Sequence, residues 1–208
     1  MPDSHRFWAW FGASKVVDAR QEPLVCYHGT HGQPNFGPLT RFGTAEAATE
    51  GLLLALTPEE LERLLGDPEV TPYLDRLRFR RRSVWGDGEG YHLYAPGAAI
   101  APCYLRIVRP LVLDEDPLLV LPPRHLKGIP DEALVILLAA GYDFRELVGT
   151  FKGQDPRTAV PAMLLAKGYD GVSFPDLVEG GGSTAWIILD ASQAWPIYGS
   201  RITSGVSP

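Results

Sequence analysis

Cysteine is scarce in this chain: only Cys26 and Cys103 occur in 208 residues. Both lie in apolar, strand-like runs without metal-ligand spacing around them, which predicts buried free thiols. Long apolar runs are missing too. None approaches the ~20 residues that span a bilayer. The N-terminus offers Arg6 and aromatics but no apolar leader or cleavage pattern. Together these predict a cytoplasmic protein with no membrane partner. A basic excess is also lacking: 19 Lys and Arg stand against 25 Asp and Glu, a net charge of −6. Phosphate contacts need surplus cations, so this balance argues against a general nucleic-acid binder. Internal repeats and low-complexity linkers are absent. The length is a prior for one domain, read as residues 1–198 with 199–208 a frayed tail.

Turn formers and apolar residues are abundant. Glycine occurs 22 times, proline 19 times, and 45% of residues are hydrophobic. The chain can bury a real core and must turn often, which suits an irregular, strand-rich fold. Short strands mixed with short helices predict α+β. Residues 5–14 read as a short aromatic helix or turn anchored in the core, with Trp8 and Phe11 at helical spacing. Val16-Val17 reads as a brief strand, Leu24–Tyr27 as a buried strand and Leu39–Phe42 as another. Thr44 is placed to cap a helix running to about Leu54. Thr57-Pro58-Glu59-Glu60 is a capping box that opens a second helix.

Further along, Arg76, Arg78, Arg80, Arg81 and Arg82 form a basic cluster, read as a solvated face with phosphate contact as the alternative. Trp85–Gly90 reads as a turn and Tyr91–Tyr94 as a strand. Ile100–Leu113 reads as a strand pair or a bent strand, interrupted at Pro110. Asp114-Glu115-Asp116-Pro117 reads as a plain turn, since it lacks the glycine and distal glutamate of a calcium loop. Helices are expected from Glu132 to Ala140 and from Asp155-Pro156 to Lys167, with Gly168 as the stop. Tyr169–Phe174 and Ala185–Leu189 read as strands. The loop between them holds Gly180, Gly181 and Gly182 and is expected to move.

The candidate site is the run Leu24-Val25-Cys26-Tyr27-His28-Gly29-Thr30. A histidine at a strand end can serve a ligand, and Gly29 leaves the backbone open to a flat group. His31 gives a His-x-x-His spacing, but no second ligand cluster accompanies it, so no metal is expected. Phe7-Trp8-Ala9-Trp10-Phe11-Gly12-Ala13-Ser14-Lys15-Val16-Val17-Asp18 precedes this run. Phe42-Gly43-Thr44-Ala45-Glu46-Ala47-Ala48, Tyr104–Leu111, Gly168–Val172 and Trp186–Asp190 follow it.

In that order, these stretches resemble phage- and prophage-associated ADP-ribosyltransferase-like domains. The branch is the one that includes poly(ADP-ribose) polymerases and diphtheria-type toxins. The resemblance implies a split β-sandwich with packed helices and NAD as the substrate. It implies transfer of ADP-ribose to a macromolecular acceptor, or hydrolysis of NAD, in a phage-associated protein or toxin/effector. An immunity or partner protein would fit that setting. The alternative is a degenerate domain that binds a nucleotide or protein partner without catalysis.

By the same resemblance, His28 would hydrogen-bond an NAD ribose hydroxyl and the Gly29 backbone would hold the nicotinamide amide, with Thr30 beside them. The family's second position, an aromatic that stacks on nicotinamide, falls at Arg41-Phe42, with Tyr91 or Tyr94 as substitutes. Its third, a glutamate before the last strand, falls at Ala185. Glu179 stands six residues earlier across the glycine loop and is the candidate catalytic acid, with Asp176 the weaker one. Ser183 and Thr184 could add hydrogen bonds.

Overall fold

The computed structural model describes residues 5–31, 34, 36–56, 77–81, 89–94, 98–151 and 154–197. For His31 and residues 53–56, 77–81 and 89–94 the description is of the backbone alone. The fold is mixed α+β. Helices α1 (His5–Phe11), α2 (Ala45–Glu50), α3 (Asp131–Ala139), α4 (Phe144–Thr150) and α5 (Pro156–Ala166) accompany ten strands among the described residues. The strands are β1 (Val25–His31), β2 (Arg41–Phe42), β3 (Leu53–Leu56), β4 (Leu77–Arg81), β5 (Glu89–Tyr94), β6 (Ala98–Leu105), β7 (Pro110–Val112), β8 (Gly171–Asp176), β9 (Ser183–Ile188) and β10 (Ala194–Pro196). No described helix is long and apolar enough to cross a membrane.

Three sheets form, in the orders β1-β6-β10, β2-β9-β8-β7 and β3-β5-β4. All neighbours are antiparallel except β7 and β8. The first two sheets pack face to face. Cys26, Cys103 and Leu105 from one meet Phe42, Trp186 and Ile188 from the other in a buried cluster. The far face of the second sheet carries Leu111, Val172, Phe174, Ala185 and Ile187 and is covered by α3, α4 and α5. Strand β9 is therefore buried on both faces. Trp186 and Ile188 point to the sheet, while Ala185 and Ile187 point to the helices, as the two-residue period requires. That double burial is why Ala185–Leu189 reads as an unbroken apolar run. Among the described residues a single isolated antiparallel bridge, Tyr27 to Gly43, joins the two sheets at one edge.

Helix α1 forms where expected, but Phe7 and Phe11 are its buried pair. Trp8 is 47% exposed, so the anchoring face lies one residue earlier than the reading from Trp8 and Phe11. Val16-Val17 gives only an isolated bridge, Val17 to Pro23. Thr44 caps α2 by accepting the N–H of Ala47. That helix stops at Glu50 rather than Leu54, because Leu53 to Leu56 pair with β5 instead. Pro110 begins β7, where its missing N–H costs nothing to the ladder.

One helix escaped the sequence reading. α4 opens with a capping box in which Asp143 accepts the N–H groups of Arg145 and Glu146, and Glu146 accepts that of Asp143. The pattern Asp-x-x-Glu was present as a signal. The helix expected after Thr57, residues 85–88 of the expected turn, Arg76, Arg82 and the tail from Gly199 lie outside the described residues, while Glu89 and Gly90 already belong to β5. Both thiols are free and buried, and burial pushes each up to about 12, Cys26 with help from Cys103 opposite it.

Candidate functional site

Strand β1 runs through His28 and Gly29 to His31, so His28 lies within a strand rather than at its end. Its Nδ1 is 2.9 Å from the carbonyl oxygen of Arg41. A carbonyl only accepts, so Nδ1 carries the proton, and a neutral ring keeps its lone pair at Nε2. Burial lowers the His28 pKa, opposed in part by this hydrogen bond, which favours that neutral ring. Phe36 and Phe42 flank the ring, with centroids 5.8 and 5.6 Å away. Phe42 is fully buried, so it braces the histidine from the core and offers no face to a ligand.

A cavity of about 250 Å³ opens beside His28. It is lined by His28, Gly29, Arg41, Glu132, Asp176 and Glu179, with Tyr27, Gly43, Leu118 and residues of α2 completing the wall. The structure thus brings together His28, Gly29, Arg41, Asp176 and Glu179, five residues singled out in the sequence. Thr30 does not line this cavity. The backbone of Tyr91 pairs with Leu56 and Phe79 in the third sheet, and its side chain and that of Tyr94 lie outside the description. Gly29 has a second reason to be glycine. A Cβ there would meet the carbonyl oxygen of Ala48 at 2.5 Å and Cγ of Leu52 at 2.8 Å. The space in the Cβ direction belongs to α2 and its C-terminal turn, not to a flat ligand.

Arg41 does not present its face to the cavity as a stacking group. Its guanidinium carbon lies 5.0 Å from the centroid of the Phe174 ring. Nη2 stands 2.8 Å from Oδ1 of Asp176 and 3.8 Å from Oδ2 of Asp116, and both aspartates are fully buried. The shorter contact is ionic, since Nη2 is not aligned for a hydrogen bond. An aromatic face under the plane and two carboxylates at the tip suit arginine better than lysine.

The same two aspartates hold the loop that carries Glu179. Oδ2 of Asp116 accepts the N–H of Leu177 at 3.0 Å and that of Val178 at 3.4 Å, while Oδ1 accepts that of Leu118 at 3.0 Å. Oδ1 of Asp176 accepts the N–H of Glu179 at 2.9 Å, and its carbonyl accepts that of Gly182 at 2.6 Å. In the structure this loop is hydrogen-bonded at five backbone amides, those of Leu177, Val178, Glu179, Gly182 and Ser183. Gly181 and Gly182 supply the positive φ of 58° and 91° that closes it. The Glu179 carboxylate lies over Gly51, where a Cβ would sit 3.3 Å from each of its oxygens.

Two residues here were missed. Asp116 read as part of an ordinary turn, and nothing local distinguishes it from Asp114. Glu132 read only as the start of a helix. It sits in the first turn of α3, and burial raises its pKa, offset by Arg41 and reinforced by Asp116 and Glu179. Glu132 also borders a second cavity of about 520 Å³, lined by Leu39, Thr40, Ala133, Ile136, Arg157 and Val160 among others. Ala185, by contrast, is fully buried in the apolar layer between β9 and the helices, away from the cavity.

The arrangement offers a neutral imidazole with a free Nε2, a loop carboxylate and a fixed buried ion network around one small concave space. It can hold a hydroxyl-bearing group at the imidazole and stabilise positive charge near the carboxylates. No family model, no curated protein and no solved structure matches this chain.

Proposed function

We propose that this protein is an NAD-dependent ADP-ribosyltransferase of split-sandwich fold, which transfers ADP-ribose to a macromolecular acceptor or to water. The observation that carries the reading is the convergence of His28 and Glu179 on one cavity. Breaking the nicotinamide–ribose bond passes through an oxocarbenium-like state. Nε2 of His28 would hold a ribose hydroxyl, and the Glu179 carboxylate would stabilise the developing positive charge. A cavity of about 250 Å³ suits the ring-sized end of the dinucleotide. The larger cavity across Glu132 leaves room for the remainder, in the range of ~300–1,000 Å³ typical of ligand pockets. Two packed sheets joined at a single edge bridge are consistent with the split sandwich. The reading extends to a cytoplasmic site of action, a phage-associated or effector role and a cognate partner protein.

One observation favours a second reading, a binding module without turnover. Arg41 occupies the place of the stacking aromatic and is engaged with Asp176 and Asp116. Nicotinamide release from NAD separates the two. The enzyme reading expects release that falls away in His28→Ala and in Glu179→Gln. Binding of NAD without release by the wild type would favour the module.

A further inference from the structure

Cys26 on β1 and Cys103 on β6 are register partners, directly opposite each other in the antiparallel ladder. Partners of this kind share one face of a sheet. Here that face is the sandwich interior, where both residues pack in the cluster with Phe42, Trp186 and Ile188. The hydrogen-bond pattern fixes their spacing. The N–H and the carbonyl of Tyr27 both pair with Gly43, away from β6. Bonding alternates along an antiparallel strand, so Cys26 and Cys103 form a hydrogen-bonded pair, with Cα atoms about 5.5 Å apart. That spacing lies inside the range of ~4.4–6.8 Å that a disulfide spans. The Cys103 thiol adds to the upward push on the Cys26 pKa, which puts the two sulfurs within electrostatic reach. The hydrogen bond of the Cys103 thiol is a long one, 3.8 Å to the carbonyl oxygen of Ala101, and holds it weakly.

The place of the pair in the chain matters as much as its geometry. β1 carries His28 two residues after Cys26. The segment between the two cysteines contains α2 and all of the third sheet, β3, β4 and β5. A bridge would tie β1 to the central strand of its own sheet and close that segment into one covalent loop. Long loops lose the most chain entropy in the unfolded state when they are closed, so this closure favours the folded protein.

We propose that Cys26 and Cys103 are a redox pair, closed as a cross-strand disulfide in oxidising surroundings and open as two thiols in reducing ones. The oxidant is a low-molecular-weight disulfide. One cysteine thiolate attacks it, forming a mixed disulfide and releasing one small thiolate. The other cysteine thiolate attacks the protein sulfur of that mixed disulfide and releases the second. The cysteines lose two electrons and two protons, and the small disulfide is reduced to two thiols. Cys26 and Cys103 are 2% and 0% exposed, so the mixed disulfide does not fit in the closed sandwich. The bridge therefore closes as the chain folds or when β1 leaves the sheet, and the folded dithiol reacts slowly. The pair is independent of what the His28 cavity binds.

The test refolds the full chain from urea with glutathione disulfide, and a second sample with reduced glutathione alone. Each is then denatured, treated with iodoacetamide and weighed by mass spectrometry. The sample from glutathione disulfide is expected to be a monomer lacking two hydrogens, with neither glutathione nor alkyl groups attached. Its urea midpoint is expected to lie above that of the reduced sample and to return to it on reduction with dithiothreitol. Cys103→Ala has no partner for Cys26 and is expected to gain no stability from glutathione disulfide. Two alkylated thiols, glutathione retained on either cysteine, a disulfide-linked dimer, or a bridged protein with a lower urea midpoint would each overturn the pair. An equal rise in midpoint by Cys103→Ala would overturn it as well. If Cys103→Ala fails to fold, the mass of the wild type and its urea midpoint before and after reduction decide alone.

Discussion

Nη2 of Arg41 stands 2.8 Å from Oδ1 of Asp176. That contact links the strand after the candidate histidine to the loop that carries Glu179. Removing the arginine leaves two fully buried carboxylates, Asp116 and Asp176, without their counter-ion. Breaking a buried pair from one side costs about 3–5 kcal/mol. Arg41→Met is therefore expected to lose stability on that scale in urea unfolding. Adding Asp116→Asn and Asp176→Asn should recover most of the loss. Arg41→Tyr, which restores the family's aromatic, is expected to be as unstable as Arg41→Met and less active than the wild type. A Tyr variant of full stability would show that the ion network is dispensable.

Ala185 occupies the place where the family's glutamate is expected, yet its side chain faces the apolar layer. Ala185→Glu would bury a carboxylate in the apolar layer formed by Phe174, Val172 and the helices. The expected outcome is a loss of several kcal/mol in urea unfolding and no gain in nicotinamide release. Increased release by a stable variant would place the acid at position 185 and not at Glu179.

The strand pattern of β9 was legible, because a buried strand has a plain apolar signature. The role of Ala185 was not, because facing is a matter of register against β8 and β2. Thr44, Asp155 and Gly168 were legible as helix boundaries, since caps act within a few residues. Asp116 was illegible for the opposite reason. Its partners, Arg41 and the amides of Leu177 and Val178, are distant in the chain. His28 stood out through its motif, whereas the hydrogen bond that fixes its tautomer required β2 to be placed.

Gly29 is closed by α2 in the direction a side chain would take. Gly29→Ala would place Cβ 2.5 Å from the Ala48 carbonyl, a backbone atom that cannot rotate away. Overpacking of this kind costs about 1–3 kcal/mol. A fall of that size in urea unfolding is expected, together with weaker ligand binding as α2 shifts from the cavity wall. Wild-type stability in Gly29→Ala would mean that the helix does not press on β1.

Stability should depend on pH in opposite senses through Glu132 and His28. Burial raises the Glu132 pKa, so its contribution is present below the ordinary glutamate value and is lost as pH rises through the raised folded value. Burial lowers the His28 pKa, so its contribution is present above the ordinary histidine value and is lost as pH falls through the depressed folded one. Glu132→Gln is expected to be at least as stable as the wild type at neutral pH and to lack the decline on leaving acid. Urea midpoints of both proteins across that range check it. A Gln variant that loses stability at neutral pH would mean that the ionised Glu132 is held favourably by Arg41.

The central claim is that His28 and Glu179 act on NAD in one cavity. Its most direct test is nicotinamide release from NAD by the purified wild type, His28→Ala and Glu179→Gln. The account predicts release by the wild type and near-complete loss in both variants, each still folded by its urea transition. Release that persists in folded His28→Ala would contradict it.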